Sequence, residues 1–210
     1  KNVLFYQIGL YVLVPTKSYA NADNDKDYCD AALKPSFWIG CPPYFNEELS
    51  MADKREVVVL SAARSAVGTF NGSLAGMEPA DLGGLVIKEA IARSGVDPKA
   101  VTFATVGNVV PTEARYAYVA RNATIQGGMT MESVAFAVNR LCGSAQQAVV
   151  NSAQAILLGD ADFAIGGGVE VMSRGAYLST AMRTGARMGD TKMLDAMVCA
   201  LTDPFGVGHM

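Results

Sequence analysis

Asn139-Arg140-Leu141-Cys142-Gly143-Ser144 sets one cysteine between two apolar runs of different period. Upstream, Ser133-Val134-Ala135-Phe136-Ala137-Val138 is short, apolar and bounded by polar residues, as a buried strand would be. Downstream, Ala145, Val149, Ile156 and Leu157 recur at helical spacing until Gly159, a residue suited to ending a helix. Cys142 is therefore expected where a strand turns into a helix, beside free backbone N–H groups. The helix dipole favours negative charge at that end, and the thiolate is the nucleophilic form of cysteine. Such a junction suits covalent acyl transfer. It suits equally a small residue packed at a strand end, and spacing alone leaves both readings open.

The same alternation extends in both directions. A strand is expected over Val57 to Ala62, then a helix after Pro79, a residue favoured in the first turn. Leu82, Leu85, Val86 and Ile91 would face inward, with Gly95 near the helix end. A second strand spans Phe103 to Val109 and a second helix Tyr116 to Gln126, stopped by Gly127-Gly128. A strand before Cys142, a helix after it and a strand from Phe163 to Gly166 complete the run. The order β-α-β-α-β-α-β implies an α/β fold, a mainly parallel sheet with covering helices.

Composition excludes several classes. Half of the 210 residues are hydrophobic and 18% are charged, which suits a packed core rather than disorder. A net charge of −3 gives no basic excess for nucleic acid or an anionic membrane surface. Cys29, Cys41, Cys142 and Cys199 form no CxxC pair, and with one histidine no metal site is expected. Gly166-Gly167-Gly168 fits neither G-x-G-x-x-G nor a Walker A pattern. A turn letting backbone pass close to Cys142 is expected there instead.

Several stretches together resemble the thiolase family. Asn139 to Ser144 is similar to the segment around that family's acyl-accepting cysteine. Ala164-Ile165-Gly166-Gly167-Gly168-Val169-Glu170-Val171-Met172-Ser173-Arg174 resembles the segment that follows it. Leu201-Thr202-Asp203-Pro204-Phe205-Gly206-Val207-Gly208-His209-Met210 stands at the matching distance. Val57 to Phe70 resembles the opening strand and turn. The resemblance runs from about residue 55 to 210 and is nearest to bacterial β-ketothiolases and acetyl-CoA acetyltransferases. It implies the N-terminal half of a thiolase-like fold over residues 51–170, with its last strand missing, and part of the loop domain over 171–210.

For chemistry, the resemblance implies a Cys142 thiolate that attacks a 3-ketoacyl-CoA, or condenses acyl-CoA molecules in reverse. Coenzyme A is a substrate, with no permanently bound cofactor. Leu201, His209 and Met210 match positions lining the acyl-pantetheine pocket; Arg183, Arg187 and Lys192 either face CoA phosphates or form a solvated face. The full-length family member is expected to be a homo-oligomer, without nucleic-acid or membrane partners. The family's activating histidine, second catalytic cysteine and oxyanion asparagine belong to a second half with no counterpart here. The chain is therefore expected to be truncated and inactive alone. Cys199, in an apolar context without glycines, is expected to be buried and idle. Glycine usually stands at the position of Ala145, and a leucine-like residue at that of Gln146. Two alternatives are a non-catalytic thiolase-like interaction module and another thiolase-fold condensing enzyme.

Residues 1–50 lie outside the resemblance. Val3 to Val14 is mostly apolar but too short to span a bilayer. Ala20-Asn21-Ala22 has the form of a signal-peptidase site, which makes residues 1–22 signal-like, and Cys29 with Cys41 could pair in an oxidising compartment. A free thiolate and coenzyme A belong in the reducing cytosol. Hence the expected location is cytoplasmic, and the leader is expected to be an appended segment without catalytic role.

Overall fold

The computed structural model describes residues 10–15 and 56–210. The Ala20-Asn21-Ala22 site, the Cys29–Cys41 pairing and the start at Met51 lie outside the described residues. Five strands form the main sheet: β1 (Leu10–Pro15), β2 (Val57–Ala63), β3 (Phe103–Gly107), β4 (Val134–Val138) and β5 (Ala164–Gly168). Their spatial order is β2-β1-β5-β3-β4. Strand β3 runs parallel to β4 and β5, as β-α-β crossovers require.

Strand β1 is the departure from the expected four-strand pattern. It comes from the apolar run of the leader and lies antiparallel between β2 and β5. Leu10, Val12, Leu13 and Val14 are at most 2% exposed, so this segment is core. Along it, Leu10 and Val12 join Ile87, Ile91, Ala104 and Ile165 on one face of the sheet, while Leu13 joins Ile156 and Ala164 on the other. Alternation of this kind is what a strand covered on both faces needs. A register shift between Val12 and Leu13 against β2 marks a bulge.

Three helices cover the sheet: α1 (Pro79–Ser94), α2 (Val119–Gln126) and α3 (Ser144–Leu158). Helix α1 opens on Pro79 and closes on Gly95, whose φ of 72° is the left-handed cap that glycine adopts without a Cβ penalty. Leu82 and Ile91 are buried as expected and Val86 is half-buried, but Leu85 is exposed and Ile87 is buried in its place. The buried side of α1 is centred on Gly83 and Gly84, where a Cβ would stand 3.2 Å from the Ala123 Cβ and 2.8 Å from the Gln126 Cβ of α2. Close approach of α2 to two glycines turns Leu85 outward. Tyr116–Tyr118, expected as the first turn of α2, is a 3-10 turn leading into it.

Among the described residues, β4 forms the sheet edge, with only β3 beside it. Val134 and Phe136 are consequently exposed rather than buried, although Phe136 meets Phe103 edge to face at 5.8 Å. Beyond β5, residues 171–210 form the two-stranded pair β6 (Tyr177–Leu178) and β7 (Leu194–Asp195) and the short helix α4 (Ala196–Ala200). Asp195 caps α4 by accepting from the N–H groups of Met197 and Val198. Among the described residues, no helix is long and apolar enough to cross a membrane.

Candidate active site

Glycines place α3 on the sheet. A Cβ on Gly107 would lie 2.6 Å from the Ala145 nitrogen and from the Ser144 carbonyl carbon. One on Gly168 would lie 2.6 Å from the Ala145 Cβ, and one on Gly166 would lie 2.7 Å from the Val149 Cα. The triple glycine is thus strand, not a turn. Its missing side chains bring the helix down onto β3 and β5. The Ala145 methyl fits because Gly168 faces it. Gln146 is exposed.

The turn ahead of α3 is held by its own side chains. Leu141 has φ 48°, in the left-handed region. That conformation costs a non-glycine residue about 1–2 kcal/mol, and such strain concentrates where geometry serves a site. The Leu141 N–H donates to Asn139 Oδ1 at 3.0 Å. Ser144 Oγ accepts from the Arg140 N–H at 2.8 Å and donates to the Leu141 carbonyl at 2.6 Å. Cys142 is thereby presented just before the Gly143 cap, exposed and as a free thiol. The expected junction between β4 and α3 is present.

Cys142 lines a cavity of about 430 Å³ together with Asn108, Glu170, Met172, Leu201 and Met210. Two of the three expected pocket residues, Leu201 and Met210, therefore share this cavity with the cysteine, and the Met210 N–H donates to the Leu201 carbonyl at 3.0 Å. His209 is exposed, bridges to Thr202, and does not line the cavity. Arg183, Arg187 and Lys192 are exposed. Cys199, expected to be buried, is exposed, because one side of α4 faces away from the body. Among the described residues, no group of three or more His, Cys, Asp or Glu side chains could hold a metal ion.

Glu170 was not singled out from the sequence. Its Oε2 accepts from the Val109 N–H at 2.8 Å, and its Oε1 from the Val110 N–H at 3.2 Å and from Asn108 Nδ2 at 3.1 Å. Burial pushes the carboxyl up to about 7, outweighing these three donors, which pull the other way. Tyr116 donates to the Val109 carbonyl at 3.2 Å, and its hydroxyl is pushed above the usual range by burial and by Glu170. An acid two residues after a glycine-rich strand was the available signal.

Residues 57–210 match the thiolase N-terminal domain family. The chain belongs to the thiolase family. It is 54% identical over 156 residues to beta-ketothiolase BktB of Cupriavidus necator, a match covering 74% of this chain and 40% of that protein. An acetyl-CoA acetyltransferase of the same organism is 41% identical over 156 residues, with 74% and 39% covered. Human mitochondrial 3-ketoacyl-CoA thiolase superposes with a TM-score of 0.68 at 32% identity, covering 72% of this chain and 39% of that one. Its complex with CoA gives 0.66 at 33% identity, with 69% and 37% covered. The chain spans about 40% of the length of the curated thiolases it matches.

Proposed function

We propose that this chain carries the acyl-accepting half of a thiolase site, for thiolysis of 3-ketoacyl-CoA or the reverse Claisen condensation. The observation that supports it most is Cys142, exposed on a strained turn at the head of α3 and sharing an apolar-walled cavity with Leu201 and Met210. In thiolysis the Cys142 sulfur bonds to the keto carbon and the bond between that carbon and the α-carbon breaks. The electron pair and a proton go to the α-carbon, releasing acetyl-CoA, and the cysteine keeps the acyl group as a thioester. A second coenzyme A thiol then takes the acyl group and returns the cysteine. Both steps develop an oxyanion, for which the backbone N–H of Cys142 is the donor this chain supplies; removing one such donor costs roughly 10²–10³ in rate.

Leu201 and Met210 are the proposed apolar wall for the acyl-pantetheine arm, with His209 on the same hairpin. Coenzyme A enters as substrate, and no permanent cofactor is required. Residues 51–170 form the catalytic domain in this reading and 171–210 the loop domain, with a cytoplasmic, homo-oligomeric whole protein. The activating base and second acid–base group have to come from polypeptide beyond these residues. The test is acetoacetyl-CoA thiolysis by the chain alone and with a C-terminal thiolase half co-expressed. Activity is expected only in the pair, and is expected to vanish in C142S. Robust turnover by the chain alone, or an active C142S pair, would refute the reading.

A further inference from the structure

The wall of the cavity that carries Asn108, Val109 and Val110 follows directly from the end of β3, beyond the last paired residue, Gly107. Among the described residues no strand ladder holds Val109 and Val110; their N–H groups go to a side chain, Glu170, just beyond β5. Asn108 adds a second tie, with Nδ2 donating to the Val169 carbonyl at 2.8 Å as well as to Glu170. We infer that Glu170 is a positioning residue, whose carboxylate latches the Asn108–Val110 wall to β5 and so sets the side of the cavity that shares space with Cys142. This deepens the thiolase reading, because the wall matters through the reaction at Cys142.

The latch is sensitive to protonation because of how its donors divide. Oε1 receives two donors and Oε2 one. A proton on Oε2 turns that oxygen into a donor facing the Val109 N–H, so this bond weakens while the two on Oε1 persist. Burial holds the carboxyl at about 7, near the pH where the protein would work. The other titratable groups around it are few. Tyr116 faces it from the turn before α2, and Arg140 and Cys142 line the same cavity. Arg140 donates to Gln147 Oε1 at 2.9 Å on α3, and Arg174 faces Glu78 and Glu113, at 4.0 and 3.8 Å. The residues at 67–75 that approach Glu170 from the other side, among them Val67, Thr69 and Leu74, bring no charge.

The experiment is an amide titration of the full chain, labelled with ¹⁵N-valine, from about pH 5.5 to about 8.5, a window set by the shift of Glu170 from the ordinary carboxylate range. In parallel, the ratio of Cys142 to Cys199 alkylation by iodoacetamide is followed over the same range. The wild-type Val109 and Val110 signals are expected to move together with a midpoint near 7, Val109 the more, and the alkylation ratio to step at the same midpoint. E170Q is expected to lose both steps, and E170D to keep a carboxylate titration in both readouts. Should E170Q fail to fold, the wild-type titration still decides. Flat Val109 and Val110 signals, or the same titration in E170Q, would overturn the latch. Titrating amides with a flat alkylation ratio would overturn its link to Cys142. Absence of thiolysis in the co-expressed pair, with both titrations intact, would count against the thiolase reading and leave the latch standing.

Discussion

Replacing Gly107 by alanine tests how the sheet positions the cysteine. The new Cβ would sit 2.6 Å from the Ala145 nitrogen, 2.6 Å from the Ser144 carbonyl carbon and 2.8 Å from the Ser144 oxygen. All three are backbone atoms of the first turn of α3, so no flexible side chain can move aside. Ordinary contact requires a retreat of roughly 1 Å, and forced overpacking of this kind costs about 1–3 kcal/mol. Because Cys142 immediately precedes that turn, the retreat displaces the thiol as well. A misplacement of about 1 Å can cost on the order of 10²-fold in a catalysed reaction. Gly76 provides the control, since a Cβ there meets nothing within 4 Å. Thermal melts should show G107A clearly destabilised and G76A unchanged. Limiting iodoacetamide with mass spectrometry should show the Cys142-to-Cys199 labelling ratio altered only in G107A. A G107A protein with wild-type melting and wild-type labelling would refute the claim that glycine contacts set the height of α3.

Other outcomes follow from the same structure. Val12 is fully buried in β1, so Val12→Ala removes about two methylene equivalents and leaves a cavity, a loss of roughly 2 kcal/mol; urea unfolding checks this, and no change would show that the leader strand is not part of the core. Glu170 has its folded pKa raised to about 7 by burial, so the folded state holds the proton more tightly than the unfolded chain. Its contribution to stability is therefore present below about pH 4.5 and lost as pH rises through about 7, by on the order of 3 kcal/mol at most. Unfolding at about pH 5 and about pH 8 should show the wild type losing stability relative to E170Q over this interval; parallel curves would contradict the shift.

The strand, turn and helix around Cys142 were legible because the hydrophobic period changes there and because Gly159, with φ 86°, ends the helix as its type suggests. Helix α1 was legible for similar reasons, with Pro79 and Gly95 at its ends. Strand β1 was not. Its pairing with β2 joins residues more than 40 positions apart, and no local spacing encodes such a partner. Nor does an apolar run state whether its strand is central or at an edge, which is why β4 was read as buried. Gly166-Gly167-Gly168 was misread because the close approach of α3 is a property of packing, not of the glycine run itself. At the site, Cys142 stood out from the strand-to-helix junction, with the thiolase resemblance strengthening its role, whereas Leu201 and Met210 were reached through the resemblance alone. Glu170 carries only a weak sequence signal, because the two backbone N–H groups converging on it belong to residues 61 and 60 positions away.

The central claim, that the fold makes Cys142 a nucleophile rather than a packed thiol, is tested most directly by competition between two cysteines. Both Cys142 and Cys199 are exposed and free, so accessibility does not separate them. Cys142 precedes the N-terminus of a 15-residue helix, whereas Cys199 sits near the C-terminal end of a five-residue one. Anions are favoured at the first kind of position and disfavoured at the second. Limiting iodoacetamide near neutral pH, followed by peptide mass spectrometry, should therefore label Cys142 well ahead of Cys199. Equal labelling, or Cys199 leading, would contradict the account.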